Sequence, residues 1–172
     1  MERKHTAYHE AGHAVAHLRL GILQDKATIQ PHANNLGAVT AEGVEHVWDA
    51  EDAHKQLLGY CAGYAALVAA GYSNDDARSG ADDDMENAAE LVRKWPSIGT
   101  LDEGQRQAVT LMSSAENIRA VDYVARALMK HETLEADYMI NLVGWADGDM
   151  TDEEWLDFIA WRYPEMPFNP EA

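Results

Sequence analysis

"HTAYHEAGHAVAH" runs from His5 to His17 and places His9-Glu10-Ala11-Gly12-His13 at its centre. On a helix, residues four apart share one face, one turn along the axis. His9 and His13 can therefore direct their imidazoles at one ion, with Glu10 projecting beside it. Zinc suits such a pair, because it takes nitrogen and oxygen donors tetrahedrally and keeps one position for water at catalytic sites. The metal lowers the pKa of that water to about 7, and a carboxylate such as Glu10 can act as general base and then return the proton to a leaving amine. Alanine and glycine at the free positions allow this helix to pack closely against its neighbours.

Outward from the motif, the pattern is helical from about Glu2 to Leu20, with Gly21 as a natural stop. "KATIQPHANNLGAVTAEG" (Lys26 to Gly43) changes character. Ala27 and Ile29, then Ala38, Val39 and Thr40, flank a turn-rich Pro31–Asn35 stretch and predict two short strands. A second helix is expected from an Asp49 N-cap to about Ala70, and Gly71 to Asp84 reads as a loop. Acidic residues from Asp82 onward open a further helix that ends near Lys94, before Pro96. One long helix is expected from Glu103 to His131, another from Thr133, and a last one from Thr151, which has capping-box spacing with Glu154. The fold class is mostly α with a small β-sheet near the N-terminus (α+β). Residues 1–145 are expected to form the main domain, with 146–172 as a helix and tail packed on it.

The 172 residues suffice for a core without covalent staples. Thirteen basic against 30 acidic residues give a formal charge of −17, which argues against nucleic acid or an anionic membrane as partner. Cys61 is the one cysteine, so no intrachain disulfide and no thiolate cluster can form, and a reducing cytoplasm suits the chain. Met1-Glu2-Arg3-Lys4 leads directly into the motif, so no signal peptide is expected. The longest apolar stretch, Cys61 to Tyr72, is too short to span a bilayer and reads as a buried helix.

The motif supplies two ligands, and the third must come from elsewhere. A metzincin would need glycine at position 16 and histidine at 19, where this chain has Ala16 and Arg19. His17 continues the row one turn too far along the helix to share the ion, and His5 lies one turn before it; both read as supporting or solvent-facing. His32, His46, His54 and His131 are scattered. Carboxylates remain: Asp75, Asp76, Asp82, Asp83, Asp84 and Glu86 are all candidates, and spacing does not choose among them.

Five segments resemble the peptidase domain of the FtsH family of ATP-dependent zinc metalloproteases. "AYHEAGHAV" (Ala7 to Val15) is similar to its metal-binding helix, and "ATIQPHANNLGAVT" (Ala27 to Thr40) to its strand-turn-strand. "LLGYCAGYAALVAAG" (Leu57 to Gly71), "SGADDDMENAAELV" (Ser79 to Val92) and "LMKHETLEADYMINLV" (Leu128 to Val143) follow in the family's order. The resemblance implies a helical metalloprotease domain, zinc as cofactor, and Asp84 before the hydrophobic Met85 as third ligand. Tyr64 and Leu67 depart from it, standing where the family carries arginine and glutamate.

The family's ATPase module and membrane anchors precede its peptidase, whereas this sequence opens on the motif, so a stand-alone domain is expected. The expected activity is zinc-dependent endopeptidase action on unfolded or flexible polypeptide, with a separate unfoldase or a homo-oligomer as partner and no membrane insertion. Leu36, Gly37, Ala38, Val39 and Thr40 are the candidate edge strand for an extended substrate. Two other readings are a narrow-specificity regulatory protease and a non-catalytic module stabilised by zinc.

Overall fold

In a computed structural model that describes residues 2–31, 37–40 and 47–169, the described residues form eight α-helices and one three-stranded sheet. Helix α1 (Arg3–Leu20) is the central rod, with Ala7, Ala11, Ala14, Val15 and Ala16 fully buried. It ends where Gly21 takes φ 70°, a left-handed conformation that glycine adopts without strain, and its N–H closes on the carbonyls of His17 and Leu18. Helix α2 (Ala50–Ala69) starts at Asp49, whose side chain accepts from the N–H groups of Glu51 and Asp52. The two helices meet where both are narrow. A Cβ on Gly12 would lie 2.5 Å from Ala66 Cβ and 2.6 Å from the Ala62 carbonyl oxygen, so small residues on both sides create this crossing. Cys61 is buried in α2 as expected, and burial pushes its thiol up to about 12.

Strand β1 (Lys26–Thr28) pairs antiparallel with β2 (Ala38–Thr40) on one side and with β3 (Thr133–Glu135) on the other. The third strand corrects an expectation. The helix predicted from Thr133 begins instead at Ala136 as α7 (Ala136–Asp147), because Glu132 turns to φ 65° and Leu134 is buried in register with Ala27. Leu36 of the candidate edge strand, and His32 and His46, lie outside the described residues.

The long helix expected from Glu103 to His131 is two helices, α5 (Leu101–Met112) and α6 (Ala115–His131). The break falls at Ser113-Ser114, where Ser114 is extended and its hydroxyl accepts from the Asn117 N–H. Serine competes with helical bonding in this way, and here it starts a new helix. The expected loop from Gly71 to Asp84 contains a short helix, α3 (Asn74–Arg78), capped by Ser73. Helix α4 (Asp82–Lys94) follows, and a capping box of Thr100 and Glu103 opens α5.

The last helix, α8 (Asp152–Arg162), starts at the Thr151–Glu154 capping box that its spacing predicts. Trp155 on α8 is fully buried, stacks on Trp145 at 5.1 Å, and donates from Nε1 to the Phe168 carbonyl. Among the described residues no helix is long and apolar enough to cross a membrane.

Candidate metal centre

Helix α1 packs against α2 and α6, and its polar face opens into a cleft of about 700 Å³. His9, Glu10 and His13 project there from the middle of the helix, each at least nine-tenths buried. Asp84 comes from the first turn of α4. Its Oδ2 lies 3.0 Å from His9 Nε2 and 3.1 Å from His13 Nε2, and the two nitrogens are 3.1 Å apart. The one aspartate that reaches both imidazoles is the one the resemblance implies. One ligand atom from each residue falls within 4.8 Å of the others. Two imidazoles and one carboxylate form a donor set that zinc accepts with a position to spare.

The surroundings fit a metal. His13 Nδ1–H donates to the Gly59 carbonyl at 2.9 Å, which fixes the ring and turns Nε2 toward His9 and Asp84. Gly63, one turn further along α2, leaves the space in which the rings meet. A Cβ there would stand 2.6 Å from His13 Nε2 and 2.6 Å from His9 Cε1. Gly37, just before β2, does the same for the carboxylate, since a Cβ on it would come 2.7 Å from Glu10 Oε1. Gly59 and Gly63 are four apart, so one face of α2 lacks side chains opposite the histidine row. That pattern is visible in the sequence and is the one signal of the site that motif reading passes over.

Electrostatics bind the cluster together. Burial works against charge on His13, but the Asp84 carboxylate outweighs it and pushes the imidazole up to about 9. Burial likewise opposes ionisation of Asp84, yet His13 and His9 hold its carboxyl well below the usual carboxylate range. His9 is pushed down, mainly by burial. Burial pushes the Glu10 carboxyl up to about 7, with His13 opposing and Asp84 adding to the rise.

The other expected residues are placed as follows. Gly37, Ala38 and Val39 line the cleft, as do Asp82, Asp83 and Glu86. Asp75 and Asp76 sit on α3, where the Asp76 carbonyl lies 2.8 Å from His5 Nε2. His5 is therefore buried rather than solvent-facing. His17 also lines the cleft, and burial pushes its imidazole down to about 4. His54 contacts Gln107, and His131 packs edge-on against Tyr138.

The residues lining the cleft run from Thr6 to Asn87. A model of peptidase family M41 matches residues 1–96, a span that contains all of them. The chain belongs to peptidase family M41. Relatives are similar to it at moderate identity. An ATP-dependent zinc metalloprotease FtsH from Neorickettsia risticii (strain Illinois) is 29% identical over 180 residues, covering 83% of this chain and 28% of that protein. Another FtsH, from Oenococcus oeni, is 34% identical over 97 residues, covering 54% of this chain and 13% of the relative. The chloroplastic/mitochondrial FTSH 9 of Oryza sativa subsp. japonica is 32% identical over 145 residues, 74% of this chain and 18% of its own. This M41 chain therefore spans less than a third of the length of each of these relatives.

Proposed function

We propose that this M41 chain is a zinc metalloendopeptidase acting on unfolded or flexible polypeptide, with His9, His13 and Asp84 as metal ligands and Glu10 as general base. The observation that carries the reading is the meeting of three donor atoms from α1 and α4 beside a buried carboxylate. When bound, zinc supplies Lewis acidity that polarises a carbonyl and makes a water acidic near neutral pH. The residues supply the rest. Gly59 orients His13, and Gly37 leaves Glu10 Oε1 free of contact from its own side chain. A carboxyl raised by burial both accepts a proton from water and gives it up to a departing amine, which a strongly acidic carboxylate does poorly. Three ligands leave room for substrate, which favours this reading over a closed structural site.

Among the described residues β2 pairs with β1 alone, and its Ala38 and Val39 line the cleft. We read Gly37 to Thr40 as the edge along which an extended polypeptide adds as a further strand. The relatives carry "ATP-dependent" in their names, and an unfoldase, separate or in a homo-oligomer, would deliver segments of folded proteins to this edge. The cytoplasm is the compartment we propose, since a chain with one cysteine needs no oxidising environment to form an intrachain disulfide.

The test is cleavage of an unstructured protein by the zinc-loaded chain, with Glu10→Gln at equal metal content. The variant is expected to hold zinc and to lose at least about 100-fold in rate. A variant that cuts at the wild-type rate would remove Glu10 from the mechanism.

A further inference from the structure

The cleft around the metal centre is walled by α4, which contributes Asp82, Asp83 and Glu86 besides Asp84. All three are exposed, and among the described residues none has a cation within ion-pair range. This is not the rule along α4, because Glu90 at its far end is held by Lys94 at 2.7 Å. Lysine and arginine are likewise missing from the described residues that line the cleft, although the chain has 13 of them. The remaining lining includes Ile22, Leu23 and Val39, so aliphatic surface shares the same space.

A dication held by Asp84 and by His9 and His13 in their neutral forms would carry a net +1, which Glu10, once ionised, would balance. Asp82, Asp83 and Glu86 then add about three negative charges to one wall, offset only in part by the N-terminus of α4. In a concave site such charge is concentrated rather than spread, and it acts on whatever enters. It attracts a positive side chain and repels a negative one, which is how electrostatic complementarity separates otherwise similar partners.

We infer that the cleft selects polypeptide segments carrying lysine or arginine close to the bond held at the metal centre, with Asp82, Asp83 and Glu86 as the specificity-determining residues. The inference deepens the peptidase reading and rests on it for the substrate class.

The experiment is binding of fluorescent unstructured peptides to the zinc-loaded Glu10→Gln chain, measured by anisotropy. The peptides form a matched series in which one position is Lys, Gln or Glu. Lysine is expected to bind roughly three- to tenfold tighter than glutamine, with glutamate weakest, since each exposed pair contributes little and three act together. At 1 M salt, where screening acts within about 3 Å, the order should collapse. Adding Asp82→Asn, Asp83→Asn and Glu86→Gln should bring the lysine-to-glutamine ratio near one. Removing three exposed charges elsewhere, with Glu153→Gln, Asp157→Asn and Glu165→Gln, changes net charge equally and should preserve the ratio. If both triple variants lower it equally, bulk acidity is responsible and the inference is overturned; so it is if the order ignores charge or no peptide binds. Peptides that bind in the expected order but are never cut by the wild type would overturn the peptidase reading and leave the charge selection standing.

Discussion

Gly63 has two effects that pull in opposite directions. Replacing it with alanine in the middle of α2 should favour the helix by about 1 kcal/mol on propensity. The added methyl, however, would stand 2.6 Å from both His9 Cε1 and His13 Nε2. The imidazoles rather than the helix backbone must give way, at the expense of the His13 bond to Gly59, so Gly63→Ala is expected to leave the fold intact and to weaken zinc binding by about tenfold or more. Calorimetric titration with zinc checks this, and unchanged affinity would show that the rings need no such clearance. At this scale the site was largely legible in the sequence. His9, Glu10 and His13 announce themselves by spacing on one helix. Asp84 did not, because six acidic residues between Asp75 and Glu86 look alike until α4 is laid against α1; resemblance, not spacing, pointed to it. For His5 the sequence left a supporting and a solvent-facing place open, because its burial depends on α3 and the Asp76 carbonyl, which helical periodicity does not report.

Between elements, polar contacts fix where the helices sit. Arg19, at the end of α1, donates from Nη1 and Nη2 to both carboxylate oxygens of Asp147 on α7, at 2.6 and 2.8 Å, and from Nε to Asn117 on α6. The Asp147 side chain is 10% exposed. Asp147→Ala would leave a partly buried guanidinium short of acceptors, and a loss of about 1.5–3 kcal/mol is expected in urea unfolding. A loss below about 0.5 kcal/mol would mean that Glu116, which is 3.4 Å from Arg19, takes over the role. Between α7 and α8, Asp137 accepts from Tyr163 and from Arg162. Burial opposes ionisation of Asp137, but these two partners hold its pKa below the ordinary value. A depressed carboxylate stabilises the fold above the unfolded pKa of about 3.9 and stops doing so as pH falls through the folded value. The stability gap between wild type and Asp137→Asn is thus expected to be full at neutral pH and to shrink below about pH 4. A gap that stays constant through that range would exclude Asp137 ionisation as its source. Elements were legible wherever a cap was local, as at Asp49 and Thr151. They were misread where tertiary pairing prevailed: Thr133–Glu135 has no strand signal of its own and becomes one because β1 needs a second partner. Ser113-Ser114 lies inside a continuous apolar pattern, so the break that lets α5 pack on α2 and α6 on α1 was hidden.

Over the whole molecule, the metal centre joins parts that are otherwise unequally anchored. Helix α1 is buried on most of its surface, whereas α4 buries only Ala88 and Leu91 among its described side chains. Zinc held by His9, His13 and Asp84 would tie the weaker element to the stronger. At the other end, Trp155 and Phe168 close over Tyr138 and Trp145, and we propose that residues 146–172 fold with 1–145 as one unit. These two ideas make a joint prediction for thermal unfolding. A ligand that binds only the folded state stabilises it by about 2.7 kcal/mol at 100 times its dissociation constant. For a chain of this size that corresponds to a rise in Tm of roughly 5–10 °C. One cooperative transition is expected, displaced upward as a whole by zinc and returned by a chelator. Asp84→Asn, which removes the link from α4, should abolish most of the shift while leaving a single transition. Hydrogen exchange should locate the gain in α4, whose amides become slower to exchange when zinc is bound. Two separate transitions would refute the single unit, and a zinc shift that survives Asp84→Asn intact would remove Asp84 from the ligand set.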